Sequence, residues 1–408
     1  MHELAMVSPH DVIRSRAVPW TLRRVFRSLL GIKAGCVDVG LPDGRTVRFS
    51  GTREGPHAGF NIHSYAFLKR LAGGDIGFAE GYIAGEWDTP NLVALLALLA
   101  DNQHLIDRFS ANGIVRLIQK ARHALNRNSR SGSRRNIYAH YDLGNAFYGA
   151  WLDRTMTYSS GLEVGQDLVA AQHRKYAAIA AAAGVEQHHH VLEIGCGWGG
   201  FAEYAAREIG CRVTALTISP AQFEFARRRI AEAGLSDRVT LKLCDYRDEQ
   251  GTFDRIVSIE MFEAVGQEFW KAYFAKLEAR LVPGGRAALQ VITIREDIFP
   301  RYLREMDFIR HYIFPGGMLP TPSHLRALGE SVGFEQTSEL TFGGDYAATC
   351  RAWRERFDQA WTKIASLGFD DRFRRLWRYY LAYCEAGFSV GTIDVCQIGF
   401  RKSPDTGG

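Results

Sequence analysis

The chain has 408 residues, of which 46% are hydrophobic and 23% are charged, and its formal net charge is +5. This composition is ordinary for a globular protein with a large core, the length predicts two or three domains, and the small net charge demands no nucleic-acid partner. The seven cysteines include no C-x-x-C pair, so neither a disulfide framework nor a zinc site is predicted.

Residues 1–112 predict a small N-terminal α+β domain that faces lipid or a partner. A helix is expected from Trp20, a hairpin over 37–49 and a leucine-rich helix over 91–100. The first of these helices carries Arg23, Arg24 and Arg27 beside an apolar stripe. That pattern fits either a helix packed on its own domain or a helix that lies on an anionic membrane surface.

A basic linker is predicted over residues 113–136. The chain has no acidic residue between Asp107 and Asp142, whereas basic residues accumulate there. The segment fits a solvated tether between domains or an electrostatic contact with an anionic membrane. No apolar run reaches the roughly 18 residues of a membrane-spanning helix, and the N-terminus has no signal-peptide pattern. With the unpaired cysteines, this predicts a cytoplasmic protein.

The pattern of residues 137–408 predicts an α/β domain, because expected strands alternate with expected helices. Strands are expected at 190–194, 212–218, 238–244, 253–259 and 286–294, and helices between them at 201–209, 220–233 and 268–281. This alternation is typical of a parallel, doubly wound sheet. Late strands near 335–342 and 393–400 predict a final hairpin.

A G-x-G-x-x-G turn follows the first strand of this domain, at Gly195, Gly197 and Gly200. A strand, a glycine turn and a helix start form a cradle for a nucleotide-like cofactor. A dinucleotide requires an acid about 20 residues further on, at the end of the second strand. That strand ends in Thr217 and Ile218, which favours S-adenosylmethionine (AdoMet) over a dinucleotide.

Other polar groups are expected at the same carboxyl edge of the sheet. Gln222 follows Ser219 in a helix-capping pattern, and Asp245 ends the third strand, where it is either a cap or a ligand of adenine. Glu260 and Glu263 end the fourth strand next to Met261 and Phe262. Carboxylates among apolar groups can have a raised pKa and can stabilise cations, although acids at a helix start often have no catalytic role.

Taken together, the motifs of residues 136–402 resemble those of the cyclopropane-fatty-acyl-phospholipid synthase family, which includes the mycolic acid cyclopropane synthases. Residues 77–87 of the first domain match that family more loosely. The matching segments are 140–148, 156–161, 171–175, 194–200, 216–222, 261–266, 312–320 and 342–347, with Trp353, Arg356 and Phe357.

The resemblance implies a Rossmann-like class I AdoMet methyltransferase sheet and the transfer of the AdoMet methyl to a cis double bond of a phospholipid acyl chain. The expected product is a cyclopropane fatty acid, formed when the delivered methyl loses a proton and the three-membered ring closes. It implies a bound bicarbonate as the catalytic base, and no metal. The implied catalytic residues are Ser160, Glu263, Gln290, Ile292 and Tyr346. The implied cofactor residues are Tyr158, Ser159, Glu193, Gly195, Gly197, Thr217, Ile218, Gln222, Asp245 and Tyr246.

The implied partner is an unsaturated phospholipid at the inner face of the membrane, with peripheral association, and a homodimer is compatible with the sequence. The acyl chain needs an apolar lining. Its candidates are Phe262, Phe308, Tyr312, Phe314, Tyr346 and Phe388.

Four positions depart from the family pattern. Ser160 stands where many members have Cys, Ala264 and Gln290 where many have His, and Glu193 where Asp is commoner. These departures leave bicarbonate binding open. They also leave open a methyl-branched product without ring closure. Two rivals stay open apart from these departures: a non-catalytic lipid-binding paralogue, and a methyltransferase for the nitrogen or oxygen of a small molecule.

Overall fold

The computed structural model describes residues 6–106 and 143–404. The expectations for the basic linker and for the motif residues at 140–142 therefore lie outside the described residues.

The elements are numbered along the chain. The strands are β1 Met6–Val7, β2 Ala34–Gly40, β3 Thr46–Ser50, β4 Arg53–Ile62, β5 Trp87–Asp88, β6 His190–Ile194, β7 Arg212–Thr217, β8 Val239–Leu243, β9 Phe253–Ile259, β10 Leu281–Ile294, β11 Phe334–Thr341 and β12 Ile393–Lys402. The helices are α1 Pro9–Arg14, α2 Trp20–Leu29, α3 Phe67–Arg70, α4 Asp75–Ile83, α5 Leu92–Asp101, α6 Gln103–Ile106, α7 Asn145–Trp151, α8 Leu168–Ala183, α9 Gly200–Tyr204, α10 Pro220–Glu232, α11 Trp270–Arg280, α12 Phe299–Arg304, α13 Pro322–Glu330, α14 Gly343–Gln359, α15 Trp361–Ser366 and α16 Asp371–Ser389.

The described residues form two compact units. The first takes in residues 6–106, 302–312 and 368–392, and the second takes in 143–301, 313–367 and 393–404. The predicted boundary at residue 137 did not foresee that two later segments belong to the first unit. The assignment of functions to the domains stays a prediction.

The first unit contains a mixed sheet in the order β1-β3-β2-β4-β5. Strands β2 and β3 are antiparallel and turn at Gly44, whose φ of 86° suits the glycine of the predicted Asp-Gly hairpin. Helix α2 buries Leu22 and Phe26, and the Phe26 ring lies 5.0 Å from that of Phe49. Helix α16 packs on α4 and α5.

The second unit contains a sheet in the order β11-β12-β10-β9-β6-β7-β8. Strands β10, β9, β6, β7 and β8 are parallel, and β12 pairs antiparallel with both β10 and β11. The order reverses between β6 and β9, which places the carboxyl ends of both strands beside a crevice where α/β proteins bind ligands. This mixed α/β fold confirms the predicted class.

Helix α8 covers one face of this sheet by packing on β9, β10 and β12. Several of its buried residues are small, namely Ala171, Ala180 and Ala183. Small side chains let the helix approach the strands closely, and Asp167 and Gly184 cap its two ends. The helix therefore brings the buried residues in its middle, Gln172 and Lys175, close to the sheet.

Candidate active site

The glycine turn leaves the carboxyl end of β6 in a conformation that only glycine adopts easily. Gly195 and Gly197 have φ values of 86° and 52°. The N–H groups of Gly195 and Cys196 both donate to the carbonyl of Leu216, which fastens the turn to β7. A Cβ on Gly195 would lie 2.8 Å from Cγ of Met261, whereas a Cβ on Gly197 would enter open space.

Glu193 lies one residue before the end of β6 and is buried. Its Oε2 has no hydrogen-bond partner among the residues that the structure describes. Burial raises the pKa of this carboxyl to about 8, against the attraction of Lys175 and Arg229. A buried, unpaired carboxylate oxygen suits a cationic ligand group, and AdoMet carries both an ammonium and a sulfonium.

The predicted cofactor residues after β7 form one hydrogen-bonded group. The Thr217 hydroxyl donates to Oε1 of Gln222 at 3.1 Å, and the N–H of Gln222 donates to the Ser219 hydroxyl. Ser219 thus caps α10, as its sequence pattern predicted. Ile218 lies half-buried between them. The side chain of Gln222 is therefore held at the carboxyl edge of the sheet.

Asp245 follows β8 and caps a short turn at Tyr246–Asp248. Its carboxylate accepts from the N–H and Nε of Arg247, and its Oδ2 lies 2.6 Å from Nη2 of the same arginine. The capping role that the sequence left open is present, and a role in adenine binding stays a prediction. Tyr246 packs against Tyr273, with 5.1 Å between ring centroids.

Tyr158 and Ser159 lie on the segment between α7 and α8. The Tyr158 ring packs among three other aromatic rings, those of Tyr148, Trp151 and Trp353. The Ser159 hydroxyl accepts a hydrogen bond from Nζ of Lys175 at 2.7 Å.

Donors from three predicted catalytic residues converge on Glu260, just beyond β9. The Ser160 N–H and Nε2 of Gln290 donate to Oε1, at 2.9 and 2.7 Å. The Tyr346 phenol donates to Oε2 at 2.5 Å. Glu260 has a φ of 49°, a strained angle for a residue with a side chain. The strained backbone and the three donors hold the carboxylate in one place.

Glu263, which the resemblance implied as the catalytic carboxylate, has a separate environment. Its Oε1 accepts from the N–H of Ile292 at 2.5 Å, and its Oε2 has no partner among the described residues. Burial, together with the charge of Glu260, raises its pKa to about 8. Ser160 contacts Glu260, and not Glu263, through its backbone N–H, while its hydroxyl donates to the carbonyl of Gly161. The five implied catalytic residues thus divide between two carboxylates.

Lys175 is a buried charged residue of this region that was not among the site residues implied by the resemblance. It is fully buried, and Nζ lies 4.5 Å from the Tyr176 ring centroid. Burial lowers its pKa to about 7, against the attraction of Glu260, Asp153 and Glu193. It was visible in the sequence only as the last residue of the matching segment 171–175.

The expected acyl-lining residues are divided between the two units, and their role as a lining stays a prediction. Phe308, Tyr312 and Phe388 belong to the first unit, whereas Phe262, Phe314 and Tyr346 belong to the second. Phe262 is buried against Trp270 and Tyr273. No cluster of His, Cys, Asp or Glu in the described part of the chain is arranged to hold a metal ion.

The sequence and the structure of the chain are similar to those of known proteins. The family model of mycolic acid cyclopropane synthetase matches residues 128–398. The tuberculostearic acid methyltransferase of Mycobacterium tuberculosis is 41% identical over 348 residues, which cover 82% of this chain and 81% of that protein. The cyclopropane-fatty-acyl-phospholipid synthase of Escherichia coli is 34% identical over 361 residues, covering 86% and 89% of the two chains.

A solved structure supports both the fold and the cofactor. The mycolic acid cyclopropane synthase CmaA1, in complex with SAH and CTAB, superposes with a TM-score of 0.62 at 29% identity. The match covers 66% of this chain and 98% of that one. The second unit therefore has the class I AdoMet methyltransferase fold.

Proposed function

The chain belongs to the mycolic acid cyclopropane synthetase family of AdoMet-dependent methyltransferases, and we propose that it methylates a cis double bond of an unsaturated phospholipid acyl chain, with Glu260 as the base. The observation that carries this proposal is the convergence of Ser160, Gln290 and Tyr346 on the carboxylate of Glu260.

In the resembled enzymes a bicarbonate occupies a site that the equivalents of these residues line. Here the donors that would hold such an anion are directed at a protein carboxylate. A carboxylate and a bicarbonate present the same pair of oxygen atoms to hydrogen-bond donors and accept a proton in the same way. Glu260 therefore supplies within the chain the base that bicarbonate supplies elsewhere.

The proposed reaction gives a separate role to each of the two buried carboxyl groups, Glu260 and Glu263. AdoMet, when bound, supplies a methyl group activated by its sulfonium. The alkene electron pair forms the new C–C bond as the methyl C–S bond breaks, which leaves a carbocation on the acyl chain. Glu260 accepts the proton that this cation loses. Glu263 is buried near Glu260, and its Oε2 has no hydrogen-bond partner among the described residues. In its ionised form, whose fraction increases as the pH rises through about 8, it is suited to stabilise the positive charge.

We propose a methyl- or methylene-branched alkene as the product. Loss of a proton from a chain carbon, or from the methyl after a hydride shift, gives this product from the same cation. The 41%-identical methyltransferase for tuberculostearic acid supports it, as do the departures at Ser160, Ala264 and Gln290. Ring closure to a cyclopropane is the second candidate, supported by the 34%-identical E. coli synthase.

We further propose that the enzyme reaches its substrate at a membrane surface. In the first unit, α2 presents exposed Arg24 and Arg27, and Trp20 is 66% exposed at its start. Basic residues beside an exposed tryptophan favour the interface of an anionic bilayer. No helix among the described residues is long and apolar enough to cross a membrane.

Product analysis tests this proposal. The protein is incubated with AdoMet that carries a deuterated methyl and with liposomes of cis-unsaturated phospholipid, and the acyl esters are analysed by mass spectrometry. Liposomes of saturated phospholipid are the control. A labelled branched alkene supports the first candidate, and a labelled cyclopropane supports the second. AdoMet binding without any labelled lipid contradicts both.

A further inference from the structure

Gln397 lies directly behind the residues that hold Glu260. It is on β12, where it is the antiparallel register partner of Gln290 on β10. Gln290 is fully buried and Gln397 is 2% exposed. Nε2 of Gln397 donates to Oε1 of Gln290 at 3.0 Å and to the backbone carbonyl of Lys175 at 3.1 Å. Two buried amides are therefore joined in series behind one carboxylate.

This series fixes the orientation of both amides. The carbonyl of Lys175 can only accept, so Gln397 must turn its NH₂ group towards α8. The same NH₂ group then donates to Gln290, which must present its carbonyl oxygen to it. The NH₂ group of Gln290 is left facing Oε1 of Glu260. The backbone carbonyl of Lys175 thus sets the orientation of Gln397, and Gln397 in turn sets that of Gln290.

We infer that Gln397 is a positioning residue for Glu260: it holds the Gln290 amide so that an N–H group, and not a carbonyl oxygen, faces the base. The inference rests on the proposed role of Glu260. A reversed Gln290 amide would direct a carbonyl oxygen at a carboxylate, and two acceptors in contact repel each other. Gln397 thus favours the ionised form of Glu260, the form that accepts a proton.

Other groups, both charged and polar, also act on the carboxyl of Glu260. Lys175 faces it from α8, Tyr346 donates to it from α14, and Glu263 lies near it on the turn at Phe262–Ala264. Asp153 and Glu193 in turn face Lys175. Gln397 carries no charge, so its replacement by an uncharged residue changes the orientation of Gln290 while these charges stay in place.

The test is the replacement Gln397→Met, which removes the amide but keeps much of the side-chain volume. The pKa of Glu260 is followed by ¹³C-carboxyl NMR of glutamate-labelled protein, with the signal assigned from Glu260→Gln. We expect this pKa to rise by about one unit. We also expect the acidic limb of the pH–kcat profile to move to higher pH by a similar amount. The Kd for AdoMet should change less than about twofold.

Three further variants separate positioning from a general loss of structure. Val395→Ala removes buried volume on the same strand and should leave the pKa of Glu260 unchanged. Gln397→Asn keeps an amide on a side chain that is shorter by one methylene group. It should raise the pKa of Glu260 by less than Gln397→Met does, and it can be measured even if Gln397→Met folds poorly. In a Gln290→Met background, Gln397→Met should add no further shift, because Gln397 acts through Gln290.

An unchanged pKa of Glu260 in both Gln397→Met and Gln397→Asn overturns the inference. So does an equal shift in Val395→Ala, or a full additional shift in the Gln290→Met background. The NMR readout does not depend on turnover. Failure of the wild-type protein to methylate lipid therefore contradicts the proposed function, and it leaves the positioning role to be decided by the NMR titration.

Discussion

The phenol of Tyr346 donates a hydrogen bond to Oε2 of Glu260 across 2.5 Å and so joins helix α14 to the residue that follows strand β9. Oε1 of the same carboxylate is held by Ser160 and Gln290. Burial raises the pKa of Glu260, whereas the Tyr346 bond and the charge of Lys175 lower it. A general base needs this combination of a fixed position and a pKa above that of an exposed carboxyl.

Replacement of Glu263 should affect stability in a pH-dependent way. Its folded-state pKa is about 8 against 4.5 for an ordinary glutamate. The folded state therefore binds a proton that the unfolded state releases, and this contribution to stability, complete below pH 4.5, is lost as the pH rises through about 8. Glu263→Gln, which has no proton to lose, should gain Tm relative to wild type at about pH 8.5 but not at about pH 5.

Thermal unfolding at the two pH values measures this difference, and Glu335→Gln, at an exposed carboxyl on β11, is the control. An equal change of Tm at both pH values would show that Glu263 does not titrate in this way. The same variant should also lose turnover above about pH 8, where the Glu263 carboxyl is ionised and can stabilise the carbocation, with little change in AdoMet affinity.

Removal of the buried ammonium should move the pH–activity profile. Lys175→Met deletes a positive charge that faces Glu260, so the pKa of Glu260 should rise and the acidic limb of kcat should move to higher pH. Burial lowers the pKa of Lys175 to about 7, so the wild-type ammonium is itself lost above that pH. The difference between variant and wild type should therefore be large at about pH 6 and shrink by about pH 9.

A pH–rate profile checks this expectation, with Lys363→Met at an exposed position on α15 as the control. A loss of kcat by the same factor at every pH would indicate that Lys175 acts on structure alone.

Gly197 should be required for cofactor binding more than for folding. An alanine there would need a φ of 52°, and its Cβ would enter the open space of the proposed cradle. Gly234, after α10, has a φ of 69° and open space around it, so Gly234→Ala carries a similar backbone cost away from the cradle. Calorimetry should show AdoMet affinity weakened by at least about tenfold in Gly197→Ala and unchanged in Gly234→Ala. Equal affinities in the two variants would exclude Gly197 from the cradle.

The basic face of α2 should contribute to membrane binding. Arg24→Glu with Arg27→Glu should reduce sedimentation with anionic vesicles by about tenfold or more, since each basic residue near such a surface contributes about 1 kcal/mol. The matched control is Lys271→Glu with Lys363→Glu, which makes the same change of charge at exposed sites of the second unit. Equal losses in the two double variants would point to net charge instead of α2.

Much of the fold could be predicted from the sequence because buried parallel strands and their helices leave strong local patterns. Strands β6 and β9 were predicted with their observed bounds, and Ser219 caps α10 as expected. The segment 76–88 was not predicted as a helix, because its glycines and aromatic residues do not give the helical spacing of apolar and polar residues that would indicate α4. Helices α14 and α16 were missed because charged residues recur on both, although each buries aromatic side chains such as Trp353 and Trp377.

The location of the site could be predicted from the sequence, but the contacts between its residues could not. Glu260 and Glu263 were both placed at the carboxyl edge of the sheet. The sequence does not reveal the positive φ of Glu260. Nor does it reveal the hydrogen bonds that its carboxylate accepts from Ser160, Gln290 and Tyr346. Gln397 lies 107 residues from Gln290 in the chain, and nothing in its local sequence links the two. Such contacts depend on strand register, which one sequence does not reveal.

The most direct test of Glu260 as the built-in base is the turnover of Glu260→Gly with and without bicarbonate. Glycine tolerates the positive φ at this position and leaves Ser160, Gln290 and Tyr346 free to hold an anion. In bicarbonate-depleted buffer, kcat should fall by about 100-fold or more, and added bicarbonate should restore at least about tenfold while wild type does not respond. Near-wild-type turnover of Glu260→Gly in depleted buffer would contradict the account.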